Sequence, residues 1–151
     1  MAKARRAVAT LGILLSWSLA LPAPSSAEEG SQPYVIESYY RIRWGHFEEF
    51  MELFKKNHYP ILERLQELGH IVAMEAAFPV NHAAEESRWD WRMTITLADR
   101  RKLDAFERAF GEVKKELYSD AEALAKEEQR RFSLLTGHSD VPIRVDDLSS
   151  W

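Results

Sequence analysis

The sequence predicts an α+β domain in which a four-stranded antiparallel sheet is covered on one face by helices. Two observations carry this. Three segments alternate apolar and polar residues with the period of two of a half-buried strand, and two long segments space their apolar residues three or four apart, as a helix does. Strung together they read β-α-β-β-α-(α)-β, an order that makes the first and third strands central neighbours.

The first strand runs from Tyr34 to Trp44. Ile36, Tyr40, Ile42 and Trp44, with Ser38 among them, share one face, and Val35, Glu37, Tyr39, Arg41 and Arg43 share the other. Gly45 and Gly69 bracket a helix with the stripe Phe47, Phe50, Phe54, Ile61, Leu65 and Leu68. The stripe passes through His58, and Pro60 predicts a kink because it removes a hydrogen bond and crowds the carbonyl of Lys56. The second strand spans His70 to Phe78, with Val72, Met74, Ala76 and Phe78 on the apolar face. The third spans Trp89 to Leu97, with Trp89, Trp91, Met93, Ile95 and Leu97 facing one way.

Asp99 caps the next helix, striped by Leu103, Phe106, Phe110, Val113 and Leu117. Ser119 and Glu122 have capping-box spacing and predict a further, highly charged helix to about Leu135, a solvated appendage ended by Gly137. Residues 141–145 then form a short edge strand that tolerates Pro142.

The N-terminus reads as an export signal. Lys3, Arg5 and Arg6 precede an apolar run from Ala7 to Leu21, and Pro22 and Pro24 lead to Ser25-Ser26-Ala27. Cleavage after Ala27 leaves an exported, periplasmic domain at 34–151 behind a linker at 28–33, with no stable membrane anchor. All 24 acidic residues but only 17 of the 20 basic ones follow Ala27, so this part carries a net charge of −7. Such a balance argues against nucleic acid as a partner. The chain has no cysteine, so the core must hold without disulfides.

Several segments resemble the dimeric α/β-barrel superfamily of ferredoxin-like domains, in the branch related to the NIPSNAP proteins. They are Tyr39-Tyr40-Arg41-Ile42-Arg43, the step Trp44-Gly45-His46-Phe47-Glu48-Glu49-Phe50, the run Asn57-His58-Tyr59-Pro60-Ile61-Leu62, and Gly69-His70-Ile71-Val72. The resemblance covers 34–97 well and the C-terminal third poorly. It implies a homodimer whose two sheets meet face to face and enclose a cavity for a small organic ligand.

In that arrangement the polar sheet face becomes the candidate site. Glu37, Glu75 and Asp90 are carboxylates able to act as a base, and Arg41 and Arg92, with Tyr39, are placed to hold an anionic or enolic ligand. The same residues also read as a solvated face crossed by weak ion pairs. His58, with Asn57 and Tyr59 beside it, is either a core histidine or a proton-transfer group at the cavity mouth. His58, Glu37 and Asp90 are the catalytic candidates. Tyr39, Arg41, Glu75, Arg92, Asn57 and Tyr59 are the ligand-binding ones.

No metal site is expected. His46, His58, His70 and His82 recur every twelve residues, a spacing that brings none of them together locally. No cofactor is expected either, since the second helical segment, 99–117, lacks the histidine through which some relatives hold haem. Three functional readings follow: a small-molecule binder, a cofactor-independent isomerase, lyase or monooxygenase using the same cavity, and an interaction module without a ligand.

Overall fold

A computed structural model describes residues 32–81 and 83–151. The expected signal at 1–27, most of the linker and His82 lie outside the described residues. Four strands, β1 (Tyr34–Ile42), β2 (Ala73–Ala77), β3 (Trp91–Leu97) and β4 (Leu135–Ile143), form one antiparallel sheet in the order β2-β3-β1-β4. The expected central pair is therefore β1 and β3, with Tyr40 opposite Trp91, Ser38 opposite Met93 and Ile36 opposite Ile95.

These side chains face four helices: α1 (Phe47–Asn57), α2 (Tyr59–Glu67), α3 (Leu103–Leu117) and α4 (Ala121–Ser133). Tyr40, Ile42, Trp91 and Met93 are buried there against Phe50, Phe54, Ile61 and Leu65. Full burial of each large apolar side chain stabilises by about 1.5–3 kcal/mol, and the stripe therefore fixes which sheet face turns inward. The other face presents Glu37, Tyr39, Arg92 and Thr94. Among the described residues, no helix is long and apolar enough to cross a membrane.

The helix expected between Gly45 and Gly69 is two helices rather than one with a kink. His58 sits at the break with φ −108° and ψ −45°, and Pro60 lies in the first turn of α2, where its missing N–H costs nothing. The carbonyl of Lys56 accepts instead from the Tyr118 hydroxyl at 2.9 Å. Gly45 and Gly69 both have positive φ, +80° and +77°, and so end their segments in the left-handed region that favours glycine.

The C-terminal third departs furthest from expectation. Strand β4 is not a short piece at 141–145. It begins at Leu135, runs through Gly137 and pairs with β1 from Ile42 to Val35. Gly137 ends no helix; the Arg41 guanidinium lies 3.1 Å from where a Cβ would stand, so the strand accepts no side chain there without moving it.

Helix α4 is not a solvated appendage. Asp120, rather than Ser119, caps it by accepting from the Ala123 N–H at 2.9 Å. It is tied to α1 through Lys56–Glu127 at 2.6 Å and Arg130–Glu49 at 2.7 Å, with Leu124 and Arg131 buried.

Two alternations fail locally. Trp91 stacks on Tyr40 at 4.7 Å on the helix side, whereas Trp89 meets Tyr39 at 6.0 Å on the other, because the strand begins only at Trp91. In the second strand segment Ile71 is buried and Val72 exposed, the reverse of the expected faces, since both precede β2. Trp44 lies past the end of β1, exposed beneath the Arg88 guanidinium. Asp99 does cap as expected, accepting from the Arg101 N–H at 2.8 Å, although the first turn is a 3₁₀ turn at Arg100–Lys102.

Candidate functional site

The polar face brings together some of the expected residues. The Glu37 carboxylate accepts from the Tyr39 hydroxyl at 2.6 Å and pairs with Arg92 at 3.0 Å. Arg41 instead donates to the carbonyls of Glu85 at 3.0 Å and Thr136 at 3.4 Å. Glu75 is exposed opposite Thr94. Glu37, Tyr39 and Arg92 thus pair with one another, although Nε of Arg92, like that of Arg41, is buried without a partner.

Asp90 does not join them. Its Oδ2 accepts from the Ile42 N–H at 2.6 Å, and both its oxygens accept from Arg88 Nη1, while Arg88 Nη2 donates to the Ile42 carbonyl. This clasp pins Arg88 and Asp90, just before β3, to the end of β1. Asp90→Ala is expected to cost about 1–3 kcal/mol, because it leaves the Ile42 amide without its acceptor and removes one of the two carboxylates on Arg88, Glu85 remaining at 3.0 Å. Unchanged stability in urea denaturation would show that Asp90 has no such role.

Asn57 is buried and donates to Glu127 at 2.8 Å, joining α1 to α4, and Tyr59 is exposed at the rim of a different cavity. His58 lies on the helix side of the sheet, away from Glu37. The three catalytic candidates therefore occupy three places.

His58 instead lines a cavity of about 320 Å³ between the sheet and the helices. Its floor is Ser38 and Tyr40 from β1 with Asp140 and His138 opposite them on β4. Ser38 Oγ donates to Asp140 at 2.5 Å. His138 stacks on Tyr40 at 4.4 Å, donates from Nδ1 to the Tyr39 carbonyl at 2.9 Å, and places Nε2 3.4 Å from Asp140. Phe106, Phe110 and Phe132 supply aromatic walls.

Arg131 reaches this cavity from α4 and is only 2% exposed, yet it makes no hydrogen bond or ion pair. Its guanidinium rests on aromatic rings, 4.7 Å from the centre of Phe132 and 5.6 Å from that of Phe50. Burial lowers its pKa. Burial, followed by the charges of Arg131 and Lys114, pushes the His58 pKa down to about 4, so the imidazole is neutral near pH 7; its Nδ1 is buried without a partner. Burial likewise pushes the Tyr40 hydroxyl up to about 12. The Asp140 carboxylate on the floor is engaged by Ser38 and His138, so the end of the cavity formed by Arg131, the neutral imidazole and the neutral phenol is the part arranged to receive an anion. Among the described residues, no cluster of His, Cys, Asp or Glu could hold a metal.

Sequence reading found His58 but not Tyr40, Arg131, His138 or Asp140. Two signals were present. Ser38 interrupts an apolar strand face, and Arg131 falls seven residues after Leu124, on the same side of α4. The residues of β4 gave none, because Gly137, polar side chains and Pro142 hide the strand.

No protein-family model and no curated protein matches the sequence. Solved structures do. A dimeric ferredoxin-like protein from an uncultured marine organism is 7% identical with a TM-score of 0.55, over 80% of this chain and 95% of that one. A NIPSNAP family protein from Agrobacterium tumefaciens is 18% identical with a TM-score of 0.49, over 78% and 89%. An uncharacterised NIPSNAP domain protein from Burkholderia xenovorans is 11% identical with a TM-score of 0.48, over 78% and 97%. At such identities a likeness speaks to architecture alone, and the first of these, together with the β2-β3-β1-β4 sheet, establishes that this chain has the ferredoxin-like fold.

Proposed function

We propose that the chain is a small-molecule-binding domain whose ligand is an aromatic organic anion, a carboxylate, phenolate or enolate, seated between the sheet and the helices. One observation carries this: Arg131 is a buried arginine whose side chain makes no hydrogen bond or ion pair, with only the more distant field of Glu128 to offset its charge, and it lines a cavity of ligand size. A stable protein rarely keeps such a charge unpaired, and a bound anion would pair it. The phenyl rings of Phe106, Phe110 and Phe132 suit the aromatic body of the ligand.

The domain works as an exported, periplasmic homodimer in this reading. Support for the dimer is the uncovered polar sheet face, where Glu37 already pairs with Tyr39 and Arg92, and the description of a similar structure as dimeric. The space between the two sheets is then an interface, and the ligand sits on the helix side of each. A catalytic form of the same reading rests on the unpartnered His58 Nδ1, which could take a proton from a ligand whose enolate Arg131 holds.

Thermal-shift titration with benzoate, salicylate and phenylpyruvate tests the proposal on protein whose solution mass is measured in parallel. At least one acid is expected to raise the melting temperature by several degrees in the wild type and by none in Arg131→Met. Equal shifts in both proteins, or no shift with any of the acids, would overturn it.

A further inference from the structure

Helix α4 is docked differently from the other three. α1 sets Phe50 and Phe54 into the core, α2 Ile61 and Leu65, and α3 Ala109 and Val113. The buried residues of α4 are Leu124 and Arg131, a single apolar side chain and a charge. Ion pairs do the rest. Glu127 accepts from Lys56 at 2.6 Å and from Asn57 at 2.8 Å, Glu128 accepts from Lys114 at 2.6 Å, and Arg130 donates to both oxygens of Glu49 at 2.7 and 2.9 Å. The side chains in these pairs keep between 19% and 63% of their surface in solvent. Pairs so exposed are weak, and salt screens them.

Arg131, next to these pairs in the chain, works against docking. Seating α4 takes its guanidinium out of water and returns no hydrogen bond or ion pair, only contacts with aromatic rings. At 2% exposure the side chain also offers almost no surface to a molecule in the closed cavity. An anion meets it fully only when α4 gives way. A helix held by one leucine and by screened pairs belongs at the low end of the free energies for local opening. A ligand that pairs with Arg131 removes the penalty and favours the docked helix in proportion to its affinity.

We propose that α4 is a flap on the Arg131 cavity, undocking to admit the ligand and closing when the anionic group pairs with Arg131. The closing step rests on the anion-binding reading. The weak docking stands on the ion pairs of α4 and is tested without any ligand.

Amide hydrogen exchange reads the flap directly, in the α4 amides beyond the first turn. Without ligand and at low salt they are expected to exchange at least about tenfold faster than the core amides of α1 and α3. Sodium chloride at about 1 M, where the Debye length is about 3 Å, should speed them further and leave α1 and α3 unchanged. In Arg131→Met they should slow by about five- to tenfold, since the buried charge is gone. Glu49→Gln breaks an exposed pair and should speed them by about two- to fivefold, and serves if Arg131→Met does not fold. Exchange in α4 as slow as in α3, or insensitive to salt and to both substitutions, would overturn the flap. Benzoate, salicylate and phenylpyruvate are then added. An acid that gives an Arg131-dependent thermal shift and slows α4 exchange supports both proposals. An acid that gives that shift and leaves α4 exchange unchanged overturns the flap and spares the anion site. Fast, salt-sensitive exchange that none of the acids slows overturns the closing step together with the anion-binding reading.

Discussion

Arg131→Met is expected to raise the stability of the unliganded protein while removing its affinity for organic anions. Two effects compete at this position. The guanidinium gains from its contacts with the rings of Phe50, Phe54 and Phe132, at roughly 0.5–2 kcal/mol for a cation over an aromatic face. Against that stands the desolvation of a charge that is 2% exposed and in direct contact with no carboxylate, a burial effect that outweighs the favourable field of Tyr40 and Glu128. Replacing a buried ion with apolar volume commonly stabilises by about 1–4 kcal/mol. Methionine keeps the length and the ring contacts, so the desolvation effect should win.

A net gain of about 1–2 kcal/mol is expected, which for a domain of this size is a melting temperature higher by about 4–8 °C. Differential scanning calorimetry without ligand checks it. A loss of stability would mean that Arg131 is a structural residue, and the anion-binding reading would lose its main support.

The second large effect is a pH dependence centred on His58. Folding holds the imidazole neutral with a pKa of about 4, whereas in the unfolded chain it titrates near 6.5. Between those values the unfolded state binds the extra proton, so stability falls as pH drops from about 6.5 to 4 and is unaffected by this group above 6.5. The difference amounts to about 2–3 kcal/mol at the acid end of the window. Lys114, His138 and Asp140 also act on the ring, the first two lowering its pKa and the last raising it.

Urea denaturation at pH 7 and pH 4.5, compared between wild type and His58→Gln, isolates the contribution, because carboxylates and other histidines affect both proteins alike. The wild type should lose about 2 kcal/mol more than the variant over this interval. Parallel losses would show that His58 protonates without hindrance and is not buried in solution. The same variant separates binder from catalyst: loss of turnover with retained affinity for the anion would assign His58 a proton-transfer role.

Most of the framework was legible because strands and helices with one buried face write that face into the sequence. Tyr40, Ile42, Met93, Ile95 and Leu97 announced the central pair of strands, and Phe50, Phe54, Ile61 and Leu65 announced the helix side. Where a segment is short or polar on both faces the code fails. β4 has no apolar alternation because its helix-facing positions carry His138 and Asp140, and those positions belong to the cavity. Helix α4 looked solvated because ten of its thirteen residues are polar or alanine at exposed or half-exposed positions, leaving Leu124 and Arg131 as its buried ones. In β4 the residues that hid the strand, His138 and Asp140, are ones that line the site.

By itself, the sequence determined the α+β class, the central pairing of β1 and β3 and a distortion of the first helical segment near Pro60, read there as a kink. Those are local properties, set by side-chain period and by what proline and glycine permit. Only the tertiary structure decided that Asp90 is a clasp, that Glu37 is satisfied by its neighbours, and that Arg131, 73 residues beyond His58 in the chain, shares its cavity. The physical reason is that a buried charge is recognised by the absence of a partner, and a partner can come from any segment that folding brings within a few ångströms.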